Sequence, residues 1–86
     1  MQQRPIREVR MNRYSLDVRG QKCPMPLVNL QKRMKEIEPG DEVDFIADDS
    51  SCVQDVPAWC GVTGHELVSL ENKEGVITAL LRRGPN

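Results

Sequence analysis

Aromatic side chains are almost missing: Tyr14, Phe45 and Trp59 are the only three in 86 residues. Modules that hold nucleic acid by stacking bases need aromatic platforms on a basic face, and this chain offers neither. Its formal net charge is −1, from 12 Lys and Arg against 13 Asp and Glu, so no global field draws it onto a polyanion or an anionic membrane. There is no apolar run of the ~18 residues that would span a bilayer. The opening MQQRPIREVRMNRYS is polar and arginine-rich, without the apolar centre of a signal peptide. Cysteine occurs at 23, 52 and 60, an odd number that fits neither a disulfide framework nor paired zinc-ligand units. With a single histidine, His65, no metal site or cysteine–histidine hydrolase is expected. These absences predict a cytoplasmic monomer with free thiols, without metal or cofactor, and with no membrane or direct nucleic-acid partner.

What is present reads as one domain with one modest core. Residues 1–12 carry three arginines and a proline but little to bury, and are expected to form a flexible arm ahead of a domain over 13–84. YSLDVRG, from Tyr14, alternates Tyr14, Leu16 and Val18 on one side and stops at Gly20, which predicts a strand. Over residues 24–38, Leu27, Leu30, Met34 and Ile37 recur at helical spacing, predicting an amphipathic helix of about four turns ended by Pro39-Gly40. EVDFIA alternates again, and a helix between two short strands implies a parallel pair. DDSS, residues 48–51, supplies capping side chains for a second helix running to Thr63 and stopped by Gly64. Pro57 lies inside that stretch, so either the helix starts near Asp55 as its cap or its first turn is irregular. HELVSLEN and GVITALLRR, joined by Lys73-Glu74-Gly75, predict an antiparallel hairpin. The order β-α-β-α-β-β, with two one-faced helices, implies a two-layer α/β sandwich: a four-stranded mixed sheet with both helices on one face.

The candidate chemistry lies in GQKCPMPLV. With Cys23 as N-cap, Pro24 takes the first helical position and Pro26 the third, and both lack an N–H. The amide of Met25 would then remain for the sulfur, together with the positive end of the helix. A helix terminus is worth roughly 0.3–1 kcal/mol to a charge and up to ~2 when partly buried. With Lys22 adjacent, the Cys23 thiol is therefore expected below the ordinary ~8.5 of a free cysteine. A nucleophile without a base suits sulfur exchange better than hydrolysis.

LDVRGQKCPMPLV, with its CPxP motif after a short strand, PGDEVDFIADD, the DVPAWC segment and GHEL together resemble the TusA (SirA-like) sulfur-carrier family from Tyr14 to Gly84. The resemblance implies the α/β sandwich and a persulfide carried on Cys23. It also implies a cysteine desulfurase or rhodanese-like sulfur donor and a downstream acceptor protein, in tRNA thiolation, cofactor biosynthesis, oxidative sulfur metabolism or selenium handling. It implies as well a carrier that depends on partner proteins rather than a free-standing enzyme. Cys60 is expected in the core on the Val53, Val56, Cys60 face, Cys52 is expected to be incidental among carboxylates, and His65 to be structural at a helix-to-strand junction. Trp59 is expected partly buried against the sheet, and Lys32, Arg33 and Lys35 solvated at a helix end. Two other classes compete: an RNA-binding or regulatory module, disfavoured by the missing aromatics, and a thiol redox protein, disfavoured by the lack of a CxxC.

Overall fold

A computed structural model describes residues 12–85. The elements follow the predicted order: β1 (Arg13–Asp17), α1 (Met25–Glu36), β2 (Glu42–Ala47), α2 (Cys52–Thr63), β3 (Glu66–Lys73) and β4 (Val76–Arg82). They form a four-stranded sheet in the order β1-β2-β4-β3. β1 and β2 are parallel, while β4 runs antiparallel to both β2 and β3. Most of the expected arm lies outside the described residues. Its last residue, Asn12, donates its N–H to the Asp41 carboxylate at 3.3 Å, and its carbonyl accepts the N–H of Glu42 at 2.9 Å.

One face of the sheet makes the core. Val43, Phe45 and Ala47 pair in register with Leu81, Ala79 and Ile77, and all six are buried. Strand alternation sends them to the same side, where Leu30 and Met34 of α1 and Cys52, Val56 and Cys60 of α2 cover them. Pro26 joins this stripe, fully buried at the four-residue spacing that leads to Leu30 and Met34, so it fills the core as well as lacking a donor. The other face is polar. Arg13, Glu42, Arg82 and Glu66 stand side by side across all four strands, and Arg82 reaches both carboxylates at 2.9 Å.

α1 is shorter than predicted at both ends: Pro24 is its N-cap and Ile37 its C-cap. Of the two alternatives for α2, the start near Asp55 fails, because the helix starts at Cys52 with Ser51 as N-cap, without a capping side-chain bond, and continues through Pro57, while its opening N–H groups bond only three residues back. The turn before it is already bonded, Cys52 N–H to the Asp49 carbonyl at 3.0 Å and Val53 N–H to that of Ser50 at 3.2 Å. Asp55 is thus in the first turn rather than at the cap. Gly64 ends the helix at φ 87° and donates to the Cys60 carbonyl, a left-handed cap that favours glycine. In β3 a bulge between Leu67 and Ser69 lets Leu67 and Leu70, three apart, both pack against the core, while Val68 stays exposed.

The chain end packs across this junction. A Cβ at Gly84 would meet the Gly64 carbonyl, and the Gly84 N–H donates to His65 Nδ1 at 2.9 Å. Gly84→Ala is expected to cost roughly 1–3 kcal/mol through overpacking. In a domain of this size each kcal/mol lowers Tm by about 4–8 °C, which a thermal melt resolves; an unchanged Tm would show that the end moves aside freely.

Candidate functional site

Parallel strands deliver their C-terminal loops to the same edge of a sheet. Beyond the last β1–β2 pair the two loops stay clipped together. Val18 N–H donates to the Ile46 carbonyl at 2.8 Å, Gly20 N–H to Asp48 Oδ1 at 2.9 Å, and Cys23 N–H to Asp49 Oδ2 at 2.7 Å. The last contact in this series is made by the sulfur itself, whose thiol donates to Asp55 Oδ2 at 2.9 Å. Cys23 is therefore exposed yet held at both its backbone and its side chain.

The expected N-cap geometry is not what forms. Helical backbone begins at Met25, the Cys23–Pro24 peptide is cis, and no side chain caps α1. The Met25 N–H assigned to the sulfur instead donates to the Lys22 carbonyl at 2.9 Å, closing a turn around Cys23 and Pro24. The thiolate expectation is corrected with it. The thiol's hydrogen bond to Asp55 and its partial desolvation push Cys23 above its ordinary value. Lys22 does not reverse this, since its charge acts on Asp49, whose carboxyl is held below the usual range chiefly by the Cys23 and Ser51 N–H groups. Of the predicted motif residues, Lys22 is exposed, Pro24 is the N-cap, Met25 stands 47% exposed beside the sulfur in sequence, and Pro26 is in the core.

The other thiols are shielded. Cys52 is fully buried, and burial, followed by the Asp49 charge, pushes its thiol up to about 11. Cys60 is 6% exposed, and burial pushes it up to about 11 as well. His65 stands at the junction of α2 and β3. Burial, then the Arg83 charge, pushes its imidazole below the ordinary range, in keeping with the neutral ring that an Nδ1 acceptor requires. Its ring lies 5.1 Å from that of Trp59, which is half-buried on the core and donates to Gln31 of α1 at 3.3 Å. Arg33 pairs with Glu36 at 3.7 Å. Lys32 and Lys35 edge a groove of about 430 Å³ between the helices, floored by Pro24, Leu27, Val28 and Trp59. Among the described residues no cluster of His, Cys, Asp or Glu is placed to hold a metal ion, and no helix is long and apolar enough to cross a membrane.

Asp55 and Asp49 were not anticipated as partners of Cys23. Asp55 lies in the DVPAWC segment, and the parallel β1–β2 pair is the signal that could have brought it to the cysteine.

Residues 14–83 match the model of the family described as sulfurtransferase TusA. A Bacillus subtilis protein named "Putative sulfur carrier protein YrkF" is 38% identical over 69 residues, covering 80% of this chain but 37% of that protein, so the chain spans little more than a third of its length. Proteins of the same description from Archaeoglobus fulgidus and Neisseria meningitidis serogroup A are 39% identical over 59 residues and 35% identical over 72. These matches cover 69% and 84% of this chain and 81% and 97% of the relatives. The crystal structure of a SirA-like protein from Desulfitobacterium hafniense superposes with a TM-score of 0.72 at 26% identity, covering 83% of this chain and 97% of that one.

Proposed function

The chain belongs to the TusA sulfurtransferase family, and from that premise we propose that it is a sulfur carrier whose cargo rides on Cys23 as a persulfide. The single observation that supports Cys23 over the other thiols is exposure on a clipped loop, against two cysteines locked in the core. In loading, the Cys23 sulfur attacks the outer sulfur of a donor persulfide. A new S–S bond forms, the donor's own S–S bond breaks, and the donor leaves as a thiolate that takes the proton Cys23 gave up. Unloading repeats the exchange with an acceptor thiol as nucleophile, and no electrons are gained or lost overall.

The donor is a cysteine desulfurase or rhodanese-like protein, and an acceptor protein sets the destination, be it tRNA thiolation, cofactor synthesis, sulfur oxidation or selenium handling. The cytoplasm suits such a carrier, because reducing conditions keep Cys23 a free thiol. The groove beside Pro24, apolar at its floor and basic at its edge, offers a docking partner a surface next to the sulfur. Incubation with a cysteine desulfurase and cysteine, followed by peptide mass spectrometry, is expected to find one added sulfur on the Cys23 peptide. Sulfur on another peptide, or none with any desulfurase or rhodanese tried, would overturn the reading.

A further inference from the structure

Two carboxylates from the start of α2 and the turn before it converge on Cys23 in different ways. Asp49 accepts from the Cys23 N–H and from the N–H and hydroxyl of Ser51, so it is a structural clip. Asp48 is engaged by the Gly20 N–H. Asp55 alone accepts from the sulfur, at 2.9 Å and across 32 residues of sequence.

We propose that Asp55 holds the proton on the Cys23 sulfur in the free carrier and accepts it, as a general base, once a docked partner supplies the reacting sulfur. The base role rests on Cys23 as the cargo residue; the hold on its proton does not. A protonated sulfur is a poor nucleophile, so the isolated protein is chemically quiet despite its exposed cysteine. When the donor persulfide arrives, the Cys23 proton passes to Asp55 Oδ2 as the S–S bond forms. The departing donor thiolate then takes it, so Asp55 ends as it began. Around the sulfur, Asp55 and Asp49 oppose negative charge, the Ser51 hydroxyl is given to Asp49, the Lys22 charge acts on Asp49, and Cys52 lies buried.

The test is the pH profile of iodoacetamide alkylation at Cys23, read by peptide mass spectrometry on the full chain. Asp55→Asn is expected to alkylate several-fold faster at pH 7, with its midpoint moved to lower pH, while Asp55→Glu stays near the wild type. A general loosening of the fold would open the buried Cys52 and Cys60 to alkylation as well, so acceleration confined to Cys23 marks the electrostatic role. An unmoved midpoint in Asp55→Asn overturns the proposal. Because alkylation needs no sulfur donor, a moved midpoint without any loading would instead sink only the carrier reading. Should Asp55→Asn fail to fold, Asp55→Ser is read in its place, and the proposal requires the same lowered midpoint.

Discussion

Exchanging Cys23 for serine is expected to abolish sulfur loading by a desulfurase, while Cys52→Ala and Cys60→Ala keep it. The argument is one of access. A donor persulfide must bring its outer sulfur into line with the attacking atom, and only Cys23 presents a sulfur at the surface. Cys52 has no exposed area and Cys60 almost none, and both thiols are pushed up to about 11, so they are closed by burial and by protonation together. Alanine is the right exchange at the buried positions, because a serine hydroxyl without a partner there costs roughly 1–3 kcal/mol and would confuse unfolding with lost chemistry. Iodoacetamide gives an independent reading of the same access: Cys23 should be labelled first in the native protein, even though its proton is held more firmly than that of a free thiol. Sulfur found on Cys52 in the Cys23→Ser protein would show that the core opens during loading.

Much of the fold was legible because its periodicities are clean. Tyr14, Leu16 and Val18 alternate, as do Val43, Phe45 and Ala47, and each set packs on the same core. Leu30, Met34 and Ile37 were read correctly as the buried side of the first helix. Helix starts were harder, since a local rule competed with tertiary bonds. Cys23 looked like a cap because proline follows it, yet the carbonyl of Lys22 captured the Met25 N–H and moved the helix start to Met25. Pro57 looked like a breaker, but the turn built from Asp49 to Ser51 starts the helix before the proline is reached. The error over Cys23 has one physical source. A helix dipole can be inferred from one segment, whereas a carboxylate 32 residues away enters only once parallel strands have laid the two loops side by side. At contact distance that carboxylate outweighs the diffuse field of a helix end.

The largest stability loss is expected from Phe45→Ala. Phe45 is the sole phenylalanine, has no exposed area, and stands in register between Leu16 of β1 and Ala79 of β4. Truncating a fully buried phenylalanine costs about 3–5 kcal/mol, from lost burial and from the cavity left behind. At ~0.05–0.15 kcal/mol per residue, a chain of this length has roughly 4–13 kcal/mol in all, so the variant sits near the limit of folding. Ile46→Ala, one residue along and on the open face, should cost far less in the same urea titration. The two core cysteines report the loss without a denaturant. They can be alkylated only when the domain opens, and at about 1.36 kcal/mol per tenfold, Phe45→Ala should speed labelling of Cys52 and Cys60 by on the order of a hundred- to a few-thousand-fold. Cys23, already at the surface, should change little while the protein remains folded. Equal acceleration at all three thiols would mean that the Cys23 loop opens with the core, and that the hydrogen bonds from Val18, Gly20 and Cys23 to the β2–α2 segment hold only while the β1–β2 pair beneath them is intact.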